Sequence, residues 1–231
     1  MRDRPAREPH PAMDRHDHQH TRPGSRLDAQ LADRLALPGQ ASPAVWHVPP
    51  AQQPGCLSPQ LADLLLNDQT QVGDVVLDID DDVAFAATAV AAGRRHHTLG
   101  GAHHLAAMSP AAGYLDLILL HWPRPAVNPR WLLAECRSLL GAAGCLVIAV
   151  CVEGDQRVAH LTALGGAAAA AGLRPIRHVA ALDPDSAPRS TPGVATHGTA
   201  MKSHRHSHTV THPHTDLLIL AVGDVEATHD E

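Results

Sequence analysis

Acidic and imidazole side chains crowd a few short stretches of this chain. The run Asp78-Ile-Asp-Asp-Asp82 follows the apolar tripeptide Val75-Val-Leu77 and precedes an alanine-rich segment. Carboxylates placed there can hold the hydroxyls or amines of a ligand. They can equally form a solvated turn at a helix N-terminus, where the helix dipole favours negative charge. The run His121-Trp-Pro-Arg124 closes a second apolar stretch. A neutral His121 accepts a hydrogen bond and Trp122 offers a ring, or Trp122 packs against a sheet end and Arg124 is solvated. In Ser203–His208, His204, His206 and His208 alternate, with His212 and His214 close behind. Neutral imidazoles suit zinc, nickel or copper, although such a polar tract supplies no rigid surroundings for an ion.

A further group, His96, His97, His103 and His104, has no acid at matching spacing, and exposed loop histidines are the simpler account. The four cysteines, Cys56, Cys136, Cys145 and Cys151, form no C-x-x-C pair. That pattern favours reduced thiols and a cytoplasmic setting over a disulfide framework, with Cys136 and Cys151 read as core thiols. No G-x-S-x-G, H-E-x-x-H, Walker A or G-x-G-x-x-G motif occurs, so hydrolase, zincin and nucleotidase readings have no specific support.

The elements that must position these groups follow from punctuation and periodicity. Ser58 caps a helix with Pro59 at its first position and Leu61, Leu64, Leu65 and Leu66 within it. Asp74–Asp78 reads as a buried strand, and Ala84–Ala92 as the helix that packs back on the sheet and stops at Gly93. Leu115–Leu120 is a strand, Pro129–Leu140 a helix, and Cys145–Val152 the most hydrophobic strand. Gln156–Ala171 is a helix stopped by Gly172. Strands at Pro175–Leu182 and Asp216–Val222 follow without an intervening helix, which predicts an antiparallel pair. Alternating strands and helices predict an α/β fold, a mostly parallel Rossmann-like sheet with helices on both faces.

Composition bounds the rest. The 231 residues suffice for one domain, expected over 43–226, after a disordered His-, Arg- and Pro-rich arm (1–42), with a flexible His-rich insertion (183–215) and a tail (227–231). Hydrophobic residues make up 44% and aromatics only 2%, so the core must be aliphatic. A formal charge of -6 works against a broad grip on nucleic acid or an anionic membrane. No apolar run approaches the roughly 20 residues of a membrane span, and no leader-like apolar segment opens the chain, so a soluble, unexported protein is expected.

Two segments carry a family resemblance. Thr70-Gln-Val-Gly-Asp74 with Val75–Asp78 resembles the T-R-P-G-D-x-V-L-D lead-in of DNA methyltransferases that modify exocyclic amines. Asp116-Leu-Ile-Leu-Leu-His-Trp-Pro-Arg124 resembles their D-L-V-L-x-[SDN]-P-P-[YFW] segment. The resemblance covers about residues 44–224 and implies the class I S-adenosylmethionine-dependent methyltransferase fold, with a C-terminal antiparallel strand. It implies S-adenosylmethionine at Asp78, Ile79 and Asp80, and a target amine at His121, Trp122 and Pro123. The family's P-F-x-G-x-G-T bend corresponds here to Ile79–Phe85, which has three consecutive aspartates and no glycine. The acid that commonly holds the cofactor ribose is absent from Gly93–Gly101. These departures favour a catalytically eroded, methyltransferase-like protein that binds DNA or a protein partner. The alternatives are an active methyltransferase acting on an exocyclic amine, and a metal-responsive His-rich module.

Overall fold

The computed structural model describes residue 32 and residues 42–53, 56–152, 156–184 and 214–223. The expected N-terminal arm apart from residues 32 and 42, most of the His-rich insertion including His204, His206 and His208, and the tail lie outside the described residues. Strands β1 (Ala44–His47), β2 (Val75–Asp78), β3 (Arg95–Thr98), β4 (Leu115–Trp122), β5 (Leu140–Val150), β6 (Leu173–Leu182) and β7 (His214–Val222) form one sheet. Helices α1 (Pro59–Gln69), α2 (Val83–Ala91), α3 (Pro129–Leu139) and α4 (Gln156–Ala170) cover it, with a 3-10 segment at Ala102–Ala111.

The strand order is β1-β6-β7-β5-β4-β2-β3. The pairs β1/β6, β2/β3, β2/β4 and β4/β5 are parallel, and β7 runs antiparallel between β5 and β6. This is the mostly parallel sheet with a C-terminal antiparallel strand that the element pattern predicts. Both faces are buried, which is why the central strands are continuously apolar rather than alternating. Leu77, Ile118, Leu120, Ile148 and Leu220 face α3 and α4 in one cluster. Val76, Leu117, Leu119, Val147 and Ile219 face α1 and α2 in the other.

Local signals explain the helix starts. Ser58 Oγ accepts the Leu61 N–H at 3.3 Å, with Pro59 at the first position of α1. Asn128 Oδ1 accepts the Arg130 N–H at 2.9 Å at the start of α3. Three differences from the sequence reading stand out. The short strand β1 pairs with β6 from Ala44↔Val179 to His47↔Leu182; four residues ahead of Pro49-Pro50 carry too little pattern to announce it. Strand β4 continues through His121 and Trp122, so the second chemical segment begins inside the sheet. Strand β5 begins at Leu140, where the sequence reading still has helix, and Gly144 lies within its ladder: a Cβ there would lie 2.7 Å from the Leu115 carbonyl oxygen.

A buried charge cluster ties α4 to the antiparallel pair. Arg157 grips Asp216 with Nε–Oδ2 at 2.6 Å and Nη2–Oδ1 at 2.7 Å, and His178 Nε2 lies 2.7 Å from Oδ1. Burial alone would raise the Asp216 carboxyl, but hydrogen bonds from His178, His214 and Arg157, with the Arg157 charge, hold it far below the carboxylate range. Removing one partner of such a pair leaves the other charged and enclosed. Asp216→Ala is therefore expected to lower stability by about 3–5 kcal/mol in urea unfolding at neutral pH. Because the folded carboxyl is depressed, the Asp216 contribution is complete above about pH 4 and is lost progressively as the pH falls below that.

Candidate functional site

Strand β3 lies on one side of β2 and β4 on the other, so the chain reverses its direction of progress across the sheet between β2 and β4. In open α/β sheets the carboxyl ends at such a reversal form a crevice. Asp78 ends β2 there, and His121 lies opposite near the end of β4.

The bend from β2 to α2 is built from its own carboxylates. Asp78 is wholly buried, with Oδ1 accepting the Asp80 N–H at 2.9 Å and Oδ2 accepting the Asp82 N–H. Burial pushes the Asp78 carboxyl up more than these amides pull it down. Asp81 takes a φ of 60°, a conformation usual for glycine that aspartate adopts at modest cost. The bend thus includes a positive φ without a glycine.

Asp82 is the junction of the site. Its Oδ1 accepts the Ala84 N–H at 2.9 Å and the Phe85 N–H at 3.0 Å, capping α2. Its Oδ2 accepts the Leu57 N–H at 2.6 Å and stands 3.0 Å from His121 Nε2. Burial favours a neutral Asp82, but the donors from His121, Leu57 and Phe85 outweigh it and leave the pKa lowered. Burial likewise works to lower the His121 pKa. The hydrogen bond to Asp82, the interaction with the Cys151 thiol and the charges of Asp82 and Asp80 raise it to about 9. His121 is therefore an imidazolium at neutral pH.

Asp80 holds the end of β4 against the bend. Its Oδ2 accepts the His121 N–H at 2.7 Å, its Oδ1 pairs with Arg124, and Arg124 Nε donates to the His121 carbonyl at 3.0 Å. Arg124 acts as a strut between Asp80 and the β4 turn. Trp122 is 6% exposed and packs among Ile118, Leu120, Ile148 and Val150, with its indole N–H donated to His160 Nδ1 at 3.0 Å. Its ring belongs to the α4-facing core. The Trp122–Pro123 peptide is cis. Ile79 is fully buried and donates its N–H to the Leu119 carbonyl at 3.0 Å.

The structure thus brings Asp78, Asp80 and His121 together, turns Ile79 and Trp122 into the core, and places Pro123 at the turn they flank. Sequence reading left Asp82 within the acidic run, either holding a ligand or forming a turn at a helix N-terminus, and the structure makes it the N-cap of α2. The sequence reading assigned Cys151 to the core, whereas Cys151 is exposed one residue past β5. His97, His103 and His104 are exposed, and burial lowers the His96 pKa against the opposing charges of Asp78 and Asp81. Among the described residues no three His, Cys, Asp or Glu side chains are arranged to hold a metal ion. No helix there is long and apolar enough to cross a membrane.

No known family pattern matches the chain, and no curated protein matches it. Solved structures similar to it include geranyl diphosphate C-methyltransferase from Streptomyces coelicolor A3(2), crystallised with Mg2+, geranyl diphosphate and S-adenosyl-L-homocysteine. That likeness has 16% identity and a TM-score of 0.47, covering 72% of this chain and 81% of that one. A SAM-dependent methyltransferase from Archaeoglobus fulgidus has 12% identity and a TM-score of 0.47, covering 71% and 94%. The 1,6-didemethyltoxoflavin-N1-methyltransferase of Burkholderia thailandensis has 15% identity and a TM-score of 0.43, covering 72% and 78%. The substrates named belong to those proteins, and the fold of the present chain rests on its own strand order.

The His121–Asp82 pair carries a pH signature. A histidine raised from 6.5 to about 9 stabilises the folded state fully below pH 6.5, and that stability is lost as the pH rises through about 9. The contribution is on the order of 3 kcal/mol at its greatest. His121→Asn is expected to remove most of the decline in urea midpoint between neutral pH and about pH 9.5; an unchanged decline refutes the assignment.

Proposed function

We propose that this chain is a class I methyltransferase-fold protein, related to amino-methylating DNA methyltransferases, whose cofactor seat is eroded and which acts by binding a partner. The observation that carries this reading is the Asp82 carboxylate on the Ala84 and Phe85 N–H groups. A helix N-terminus attracts an anion because its first N–H groups lack partners. Here Asp82 supplies both the anion and the acceptor.

S-adenosylmethionine fits this bend poorly. The Asp80 and Asp82 amides are turned to Asp78, and a ligand carboxylate would meet a bend that already carries several ionisable carboxyls. No acid follows β3 to take a ribose, since Leu99-Gly-Gly101 stands there. The rival reading, an active enzyme with His121 accepting a hydrogen bond from a target amine, needs a neutral ring. An imidazolium has no free acceptor nitrogen. The formal charge of -6 favours a protein partner over DNA.

Titration calorimetry of the full chain with S-adenosylmethionine and S-adenosylhomocysteine is the direct test. No saturable heat is expected with either. A micromolar dissociation constant for one of them, or radiolabelled methyl transfer to DNA or protein, overturns the proposal.

A further inference from the structure

Helix α2 has an outer face without polar character. Its sequence, Val83-Ala-Phe-Ala-Ala-Thr-Ala-Val-Ala91, carries Thr88 as its one polar side chain, and that hydroxyl turns back onto the Ala84 carbonyl at 2.7 Å. Phe85 and Ala89 face inward and are buried, while Val83 and Val90 are 68% and 65% exposed and Ala87 and Ala91 are exposed beside them. At 100° per residue these four exposed side chains form one continuous apolar strip. A helix that is apolar all round is ordinarily covered on every side.

The strip borders a groove of about 630 Å³. Ala87 and Ala91 form its α2 wall, Asp63 and Leu64 stand on its α1 wall, and His47 and Val48 contribute from the end of β1.

The chain itself supplies a segment that matches this groove. In Ser25-Arg-Leu-Asp-Ala-Gln-Leu-Ala-Asp-Arg-Leu-Ala-Leu37, Leu27, Leu31 and Leu35 recur every fourth residue, and Ser25 with Asp28 has the spacing of a helix start. Ala32, the described residue of this stretch, is helical and half-buried. Isolated helices shorter than roughly 12–15 residues are marginal in water, so a helix of this length needs a surface to pack on. Reach is sufficient. Residues 38–43 extend up to about 20 Å between Leu37 and β1, twice the roughly 10 Å that separates Ala44 from His47 at the groove. Arg34 flanks the leucine row, and Asp63 on the α1 wall is its acidic counterpart.

We propose that residues 25–37 of the same chain seat as an amphipathic helix in the α1/α2 groove, with Leu27, Leu31 and Leu35 against Leu64, Ala87 and Ala91. Anchors four residues apart on one face are the signature of a helix laid in a groove. The apolar strip of α2 is thereby covered by the chain itself and not by a second copy or another protein. This inference stands whether or not the cofactor seat is eroded.

Hydrogen exchange of the full chain, read by peptide mass spectrometry, is the test. Amides of residues 29–36 are expected to exchange at least about tenfold more slowly than in an unstructured chain, at a rate independent of protein concentration. Ala87→Glu and, separately, Leu64→Glu, at exposed positions on the two walls, are expected to abolish that slowing while the β4 and β5 amides stay protected. Free-chain rates at residues 29–36 in the unaltered chain overturn the proposal whatever the variants do. Slowing that survives both substitutions in folded protein also overturns it, because the segment then packs elsewhere. Slowing that appears only as concentration rises assigns the groove to a second copy and overturns it as well.

Discussion

The Asp82 carboxylate is the constraint on which the arrangement of the crevice depends. Its two oxygens meet the Ala84, Phe85 and Leu57 N–H groups and the His121 ring, so one side chain joins α2, the segment leading into α1, and β4. An ionised carboxylate withdrawn from water costs several kcal/mol unless its lone pairs are filled. Four donors fill them, one of which is charged. Satisfaction of this group sets the position of His121, and the Asp80 carboxylate, accepting the His121 N–H and the Arg124 guanidinium, holds the rest of the β4 end in place.

The same rule operates at Asp216, with a different consequence. There the donors are Arg157 and His178, and the product is a rigid joint between α4 and the β6/β7 pair. His178 at Asp216 and His121 at Asp82 each bond the carboxylate through Nε2 and keep an enclosed Nδ1 without a hydrogen-bond partner.

The bend from β2 to α2 is closed by side chains rather than left open. Glycine-rich bends allow backbone amides to face a ligand because no side chain intervenes. Asp81 nevertheless adopts a positive φ, and the neighbouring aspartates take up the amides that such a bend exposes. The strand order needs only the buried apolar ladders of β2, β4, β5 and β7, which do not depend on those amides.

Helix starts at Ser58 and Pro129, the continuous apolar runs of the central strands and the helix-free step from β6 to β7 were all legible in the sequence, because caps and burial patterns are local properties. So was the closeness of an acidic bend and a His-Trp-Pro-Arg segment, through resemblance. What the residue order could not supply was direction. Trp122 and His121 are neighbours on β4, yet the two-residue period of a strand sends one to the α4-facing core and the other to the crevice. Cys151 reads as core by composition and becomes exposed because the β5 ladder ends one residue earlier. The partnership of Asp82 with Leu57, His121 and the α2 amides spans distant parts of the chain, and only the packed sheet brings those donors to a single carboxylate.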